Sequence, residues 1–448
     1  MYGFDRKRFL GDPKRWNLAR ISNTCVARMQ ELKMLRHLRE DVMRKHIWLT
    51  GVLLAAWNLP AMAQEVTIGG QLRPRYEFNK VTGTADQGAV SMRTRANIDA
   101  LLEDNIRVFI QFQDVRYWGE EGNTLTDFSA DYMDLHQGYV EIQQMWGSDL
   151  TARIGRQEFN LGGQRLVGAV GWTQQGRSFD GIRLTYNGGS TSLDLFGFKN
   201  NEAGSPIHNE DADFAGFQAR MGNIAGGALE LYTLYRRDIE PPSLFQQFGD
   251  NNEHEVTMGA RYAASRGNLS YRFEGSYQVG ERKGPNEAQK VGAFMFGGRV
   301  GSKLGDRLTA TLWFDYLSGD DSADDKQQVF NTLFATNHKF YGFADLFLNI
   351  PAHTGGLGLQ DAAVKLAFQA TDDIRFNADI HSFMAAKQGA LSTRRLAEEL
   401  DLTLVHNYSS RVTMQGGLSY VMQADGLGEL GRLADDRVWA YVMINAAW

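Results

Sequence analysis

The sequence predicts an all-β fold, a single-chain antiparallel transmembrane β-barrel of about eighteen strands with no plug domain. Three observations lead to this prediction. Apolar and polar residues alternate along segments of about ten to twelve residues, the length of a tilted membrane-spanning strand. Short turns alternate with long polar connections, as they do in outer-membrane barrels. No apolar run reaches the roughly 20 residues that a spanning helix requires.

A secretory signal peptide is predicted at residues 43–63, which read MRKHIWLTGVLLAAWNLPAMA. Arg44 and Lys45 form a charged start, Ile47–Ala56 is apolar, and Ala61–Ala63 is an A-x-A cleavage site. The three parts have the order and spacing of a leader for export across the inner membrane.

The stretch 1–42 precedes a signal that should itself begin a protein. We therefore hypothesise that translation starts at Met43 and that 1–42 comes from a mis-assigned start. Residues 64–448 are then the mature barrel, for which we expect an outer-membrane location and, as partner, outer-membrane lipid.

Charge and cysteine content limit the classes of function. Cys25 is the only cysteine and lies in the upstream stretch, so the mature chain has no disulfide, thiol catalysis or cysteine metal site. Residues 64–448 carry 35 basic and 48 acidic side chains, a net charge of 35 minus 48, or −13. A net acidic chain argues against nucleic acid as a partner. We expect a monomer without a cofactor.

The alternation runs from the start of the predicted barrel to its last segment, RVWAYVMINAAW. There, Val438, Val442 and Trp448 share a wholly apolar face, and Trp439 and Tyr441 lie on the other. A lipid-facing strand that closes a barrel has this pattern. A terminal strand in a soluble sandwich would also alternate, and on this stretch alone the two interpretations are balanced. The long strands and the unequal connections favour the barrel.

If the polar face of each strand lines the lumen, eleven arginines point inward. They are Arg73, Arg75, Arg93, Arg95, Arg107, Arg153, Arg183, Arg220, Arg272, Arg299 and Arg375. The acids that accompany them are Glu77, Asp99, Glu274, Asp315 and Asp379. Guanidinium groups bind carboxylates bidentately, and rings of arginine select anions. The alternative is that these charges pair with one another and fill the lumen structurally.

Strand alternation breaks between Phe159 and Ser178. The segment Leu161–Ser178 is a candidate constriction loop folded into the barrel, and the alternative is an ordinary extracellular loop. One further segment, Lys339–Leu346, is ambiguous between strand and loop.

Two constellations could carry other chemistry. Asp320, Asp321, Asp324 and Asp325 could hold a divalent cation, but their spacing departs from a calcium loop and favours a solvated acidic loop. His381 lies two residues from Asp379 on the lumen face, where the two could act as an acid–base pair. No nucleophile, metalloprotease or P-loop motif accompanies them. We therefore predict no metal site, no catalytic residue and no enzyme.

Two blocks resemble the alginate-export family of outer-membrane barrels. They are GRQEF…QRLVGAVGWTQQGRSFDGIRL and SGDD…NHKFYGFADLF. The resemblance implies a single-chain, eighteen-stranded barrel. In the best-characterised branch an anionic uronate polysaccharide passes through an arginine-lined pore. Many relatives are not tied to that polymer, so the resemblance supports the fold more firmly than the cargo.

Three hypotheses of function follow. The first is an anion-selective, porin-like channel with an arginine-lined lumen that passes anionic oligo- or polysaccharides, such as alginate-like uronates, or acidic small solutes. The second is a structural or assembly barrel with a filled lumen, which would not conduct. The third is a barrel hydrolase that depends on Asp379 or His381.

Overall fold

The computed structural model describes residues 65–120, 133–201, 211–239, 252–283, 288–321 and 326–448. The predicted upstream stretch 1–42 and signal peptide 43–63 lie outside the described residues, as do Asp324 and Asp325. The strands of the described part are β1 (Glu65–Val81), β2 (Gln87–Glu103), β3 (Ile106–Tyr117), β4 (Asp134–Ile142), β5 (Leu150–Gln157), β6 (Phe179–Gly188), β7 (Thr191–Asn201), β8 (Ala212–Ile224), β9 (Gly227–Ile239), β10 (Asn252–Arg266), β11 (Leu269–Lys283), β12 (Ala288–Lys303), β13 (Leu308–Leu317), β14 (Lys326–Gln327), β15 (Leu359–Gln369), β16 (Ile374–Met384), β17 (Arg395–Asn407), β18 (Val412–Gln423) and β19 (Arg437–Ala447).

Eighteen long strands form one closed antiparallel barrel. Each pairs with the next long strand along the chain, and β19 returns to pair with β1, where Tyr76 lies opposite Val442. The two-residue β14 is the exception, because it runs parallel to β12. Closure leaves none of the eighteen long strands with a free edge, which lipid demands because it cannot hydrogen-bond unpaired N–H and C=O groups. The fold class and strand number predicted from the sequence are confirmed.

Burial in this barrel is the reverse of burial in a water-soluble protein. Large apolar side chains of the outward face are exposed, with Leu312 at 65% and Val442 at 61%, whereas Arg73 and Arg93 are 6% and 3% exposed. Soluble proteins bury aliphatic side chains and expose arginine. An apolar outer face and a polar interior are typical of outer-membrane barrels.

The last strand has the two faces that its alternation predicts. Val442 is exposed on the outward face, and Trp439 and Tyr441 are buried on the inward face. Beyond the strand, Trp448 exchanges two backbone hydrogen bonds with Gly70 of β1, of 3.0 and 3.1 Å. A Cβ on Gly70 would lie 2.4 Å from the Trp448 ring. Glycine at this position therefore lets the terminal aromatic ring pack across β1.

Connections are short at one rim of the barrel and long at the other. Tight turns that join strands at the first rim, called the short-turn rim below, include residues 104–105, 189–190, 267–268, 304–307, 370–373 and 408–411. The helical segments of the described residues are single turns at Met145–Gly147, Asn337–Lys339, Ile350–His353 and Asp425–Glu429. Across the described ranges, no helix is long and apolar enough to span a membrane.

Two connections from the long-loop rim fold into the barrel. Inner loop 1 (residues 158–178) joins β5 to β6, and inner loop 2 (residues 328–358) leads from β14 to β15. The ambiguous segment Lys339–Leu346 belongs to inner loop 2 and is not a strand. Both loops contribute fully buried apolar side chains, and with inward phenylalanines of β6–β8 these form the main apolar cluster. The apolar core thus lies inside the lumen.

Candidate functional site

The eleven predicted lumen arginines fall into three groups by their partners. Those that bind inner loop 1 are Arg73, Arg75, Arg93 and Arg95. Those that pair with an acid on the barrel wall are Arg107, Arg153, Arg183 and Arg220. Those with no hydrogen bond or ion pair in the described part of the chain are Arg272, Arg299 and Arg375.

Arg73 of β1 binds the tip of inner loop 1. Its Nη1 donates to the carbonyl oxygen of Gly171 at 2.7 Å, and its Nη2 donates to those of Trp172 and Thr173 at 3.1 and 2.7 Å. Its Nε donates to Oε1 of Gln174 at 3.0 Å. All three nitrogens of this guanidinium therefore donate to one loop segment.

Two neighbouring arginines hold the same segment. Nη1 of Arg75 donates to the carbonyl oxygen of Trp172 at 2.7 Å, and the guanidinium lies 4.3 Å from the centre of the Trp172 ring. Nη1 of Arg93 lies 3.3 Å from the carbonyl oxygens of both Thr173 and Gln174. Carbonyl oxygens in a loop need such donors when they are buried, so these arginines keep the loop inside the barrel.

Arg95 holds the start of inner loop 1. Its Nη1 lies 3.2 Å from Oε1 of Glu158, and Nε2 of His136 lies 2.7 Å from the same oxygen. Burial by itself would raise the pKa of Glu158, but the hydrogen bond from His136 and the charge of Arg95 outweigh it and lower that pKa below its ordinary value. Glu158 is therefore a fixed negative charge at this end of the loop.

Arg165 ties inner loop 1 to the far wall of the lumen. Its Nη1 lies 2.5 Å from Oδ2 of Asp315 on β13 and 3.1 Å from the Tyr341 hydroxyl, and its Nε lies 3.5 Å from Glu274 on β11. Burial opposes the charge, but Asp315 and Glu274 raise the pKa of Arg165 above its ordinary value. In a ring of eighteen strands β1 and β11 stand nearly opposite each other. Inner loop 1, including the predicted segment Leu161–Ser178, therefore crosses the lumen.

Inner loop 2 is held by two buried carboxylates as well as by arginine. Oε1 of Glu399 on β17 accepts the backbone N–H of Ala344 at 2.7 Å, and Oδ2 of Asp401 accepts that of Phe343 at 3.2 Å. Both carboxylates are 1% exposed. Arg437 completes the arrangement by donating to the carbonyl oxygen of Ala344 at 2.8 Å.

The two inner loops are joined to each other. The His338 ring stacks on the Trp172 ring at 4.3 Å between centres. The backbone nitrogen of Gly168 donates to the carbonyl oxygen of Phe334 at 2.9 Å, and Val167 forms a parallel bridge with Phe334. Because each loop is also bound to the barrel wall, the two inner loops together form one partition across the lumen.

Wall arginines pair with acids on neighbouring strands. Nε of Arg107 lies 2.7 Å from Oδ1 of Asp99, and Nε of Arg153 lies 2.8 Å from Glu141. The other wall pairs are Arg183 with Asp194 at 2.7 Å, Arg220 with Glu230 at 3.3 Å, and Arg261 with Glu230. Such pairs brace the barrel wall, and they partly cancel the positive charge of these arginines.

The arginines without a hydrogen-bonding partner differ in exposure. Arg299 and Arg375 are exposed, whereas Arg272 is 3% exposed. Arg272 contacts the Trp313 ring, 4.6 Å from its centre, and Arg299 lies 5.9 Å from the same ring. Arg375 is the second residue of β16, directly after the turn at 370–373. Two free guanidinium groups thus face the lumen near the short-turn rim.

Two lumen cavities adjoin the partition. The loop cavity, of about 500 Å³, is lined by both inner loops and includes Arg73, Trp172 and Lys339. The wall cavity, of about 400 Å³, is lined mainly by hydroxyl, amide and charged side chains of β13 to β18, and includes Arg375. The larger hollows, of about 730 and 600 Å³, are lined chiefly by apolar residues of the outward face, where lipid chains lie.

Several lumen residues were not anticipated from the sequence. They are Arg165, Arg261, Lys339, Lys365, Glu399 and Asp401. Glu399 and Asp401 could have been found, because they alternate with apolar residues on a strand as the predicted lumen acids do. Arg165 and Lys339 lie on loops, where no alternation marks the inward side.

The described residues give these contacts for the pair of His381 and Asp379 and for the described part of the acidic loop. Nδ1 of His381 lies 2.9 Å from Asp361 instead of Asp379, and Lys365 Nζ stands between Asp379, at 2.9 Å, and His381 Nε2, at 3.0 Å. The structure therefore pairs His381 with Asp361, and Asp379 with Lys365. Asp321 pairs with Lys387 at 3.3 Å. Over the described ranges, no three His, Cys, Asp or Glu side chains are grouped closely enough to hold a metal ion.

Comparisons with known proteins bear on this barrel. A family model described as alginate export matches residues 64–401. The comparison with curated protein sequences finds no match. Similar solved structures include Pseudomonas aeruginosa OccK3 (OpdO), with a TM-score of 0.59 and 12% identity over 87% of this chain and 97% of that chain. Another is OprD of the same organism, with a TM-score of 0.56 and 13% identity over 86% and 96%. A third is Acinetobacter baumannii OccAB1, with a TM-score of 0.57 and 11% identity over 86% and 97%. At these identities the likeness is one of fold alone.

Proposed function

The chain belongs to the alginate-export family and is an outer-membrane channel, and we propose that its lumen passes anionic saccharides, such as alginate-like uronates, or other acidic solutes. The family match and the barrel fold support the function as a channel. The acidic cargo is inferred from the charges of the lumen.

The observation that carries the proposal is the pair of exposed guanidinium groups of Arg299 and Arg375. Neither has a hydrogen bond or ion pair in the described part of the chain, so their donors are available to a carboxylate passing through the lumen. Arginine stays charged at any physiological pH and matches a carboxylate with two parallel hydrogen bonds. A solute with acidic groups would therefore be drawn toward these positions.

The ion pairs on the barrel wall make the attraction between the lumen and an acidic solute weak enough for transport. Conduction requires that a solute bind well enough to enter and loosely enough to leave. Acids such as Asp99, Glu141 and Asp194 stand beside the paired arginines, so a carboxylate meets alternating attraction and repulsion along the wall. We propose that this alternation prevents tight trapping of a polyanion.

The experiment that tests the proposal is a reversal-potential measurement. The mature protein, residues 64–448, would be inserted in a planar bilayer separating two potassium chloride concentrations. We expect anion selectivity and reversible blockade of the current by uronate oligomers added to one side. Cation selectivity of the unmutated protein would overturn the proposal.

Lys339 should make binding of acidic solutes depend on pH. Burial, together with the charges of Arg272, Arg299 and Arg261, lowers the pKa of Lys339 below its ordinary value. An amine carries its charge below its pKa, so Lys339 should lose its charge at a lower pH than a free lysine, whose pKa is about 10.4. We expect blockade by uronate oligomers to weaken as pH rises through this lowered pKa.

Two substitutions at Lys339 check this pH dependence. Lys339→Arg should keep the blockade strong over the whole range, because guanidinium does not lose its proton there. Lys339→Gln should show the weak blockade at every pH. An unchanged pH dependence in Lys339→Arg would assign the effect to another group.

A filled structural barrel is the second candidate function. The two inner loops favour it, because they bind the barrel wall and each other. Both loops are fixed to the wall and to each other, as a barrel that serves only as a platform would allow. This candidate predicts no conductance above that of the bare bilayer. We propose no catalytic role, because His381 is fully buried and its two ring nitrogens face Asp361 and Lys365.

A further inference from the structure

Phe343, on inner loop 2, lies where the two lumen cavities meet. Phe343 and Gln415 line both the loop cavity and the wall cavity. Phe343 is half-buried: it packs against the cluster of Trp439, Tyr441 and Met443 and also lines both cavities. The two cavities therefore adjoin at this pair of side chains.

Two buried carboxylates, which accept backbone N–H groups of inner loop 2, set the position of the Phe343 ring. Asp401 accepts its backbone N–H at 3.2 Å, and Glu399 accepts the next one, of Ala344, at 2.7 Å. Gly342 before it has a φ of 77°, and a Cβ there would lie 2.5 Å from the Glu399 carboxylate. One face of the ring packs on His338, with ring centres 5.2 Å apart.

Buried carboxylates cost free energy unless they are well hydrogen-bonded. Glu399 and Asp401 both accept hydrogen bonds from the backbone of inner loop 2, and Asp401 also accepts one from the Ser419 hydroxyl. Their effect is to hold one aromatic ring at the boundary between two cavities. An aromatic side chain in a fixed position serves as an anchor in binding sites, because it gives a large contact area with few torsions to fix.

We propose that Phe343 is a platform on which a pyranose ring stacks as it passes between the two cavities, and that it selects saccharides over other solutes of the same charge. A pyranose presents C–H groups on its face and hydroxyl groups at its edge. The face matches the apolar ring of Phe343, and the edge matches polar groups around it.

Those polar groups lie in the wall cavity beside Phe343. Thr309, Thr311 and Asn377 offer hydroxyl and amide groups, and Arg375 offers a free guanidinium. A uronate ring stacked on Phe343 would therefore have hydrogen-bonding partners for its hydroxyls and a cation for its carboxylate within one cavity. This inference rests on the proposed function, in which the cargo is an acidic saccharide. It adds that the preferred solute carries a sugar ring.

The test compares Phe343→Leu, Phe343→Tyr and the unmutated full mature channel in planar bilayers. Leucine keeps an apolar side chain but removes the aromatic face, and tyrosine keeps the face. The probes are a uronate trisaccharide and acetate, which share the carboxylate and differ in the sugar ring. Phe109→Leu is the matched control, because Phe109 stacks on Tyr139 of the wall and lines neither cavity.

We expect Phe343→Leu to shorten trisaccharide blockades by about three- to tenfold, the ratio that corresponds to losing one aromatic contact. Phe343→Tyr and Phe109→Leu should leave the blockades unchanged, and acetate permeability should be the same in all four proteins. Heat-modifiable migration on gels shows that each variant is a folded barrel.

Trisaccharide blockades of unchanged length in Phe343→Leu, with anion selectivity retained, would overturn the platform and leave the proposed function standing. Loss of blockade in Phe109→Leu to the same extent would also overturn it. Absence of anion selectivity in the unmutated channel would instead refute the proposed function.

Discussion

Replacing both Arg299 and Arg375 with glutamate is expected to turn an anion-selective channel into a cation-selective one. Each substitution changes the local charge by two units at an exposed position, and neither guanidinium has an acid that would pair with it in the described structure. At a contact distance of 4 Å in water one unit charge is worth about 1 kcal/mol, so the permeability ratio should shift by about tenfold or more. The reversal potential in a salt gradient measures this shift and should change sign.

The matched control is Arg266→Glu. Arg266 ends β10 on the face opposite to Arg261, which points into the lumen toward Glu230. This variant has the same change in charge as each single substitution, but the charge lies outside the lumen. A shift of the reversal potential in Arg266→Glu as large as in Arg299→Glu would contradict a selective role for the free lumen arginines.

Replacing Arg73 with glutamine is expected to raise the conductance by releasing the tip of inner loop 1. Arg73 supplies donors to three consecutive loop carbonyls and to the Gln174 side chain. Hydrogen bonds to a charged group contribute about 1.5–3 kcal/mol each, and a buried carbonyl left without a donor costs further free energy. The loop should therefore leave this wall for part of the time, which single-channel recordings would show as larger or more variable current steps.

Two variants distinguish the effect of releasing inner loop 1 from the effect of removing a positive charge. Arg73→Lys keeps the charge but cannot reproduce the planar set of donors, so its conductance should also rise. Arg153→Gln removes a lumen arginine whose partner, Glu141, is on the barrel wall, and should leave the step size close to normal. Normal steps in Arg73→Gln and Arg73→Lys would show that the loop does not need this arginine.

Much of the barrel could be predicted because its determinants are local. Successive side chains of a strand point to opposite faces, so the alternation around Arg73 and Arg75 indicated at once which residues meet lipid and which line the lumen. Trp439 and Tyr441 lie on the inward face for the same reason. The break in alternation after Phe159 correctly marked a segment that leaves the sheet.

The partners of the lumen charges could not be predicted from local pattern. Arg73 binds Gln174, 101 residues away, and Arg165 binds Asp315, 150 residues away. The pairing of His381 with Asp361 depends on the alignment of β15 with β16, which places the two side chains near each other across neighbouring strands. A one-residue shift in that alignment would have separated them.

The sequence by itself determined that this chain closes into a barrel with polar residues inside, because a two-residue period and its break are properties of short segments. Only the tertiary structure decided that two loops cross the lumen, that Arg73 and Arg93 are occupied by loop carbonyls, and that Arg299 and Arg375 remain free. Whether a lumen charge is occupied depends on which distant segment reaches it when the ring of strands closes, and closure brings together residues that have no local relation in the chain.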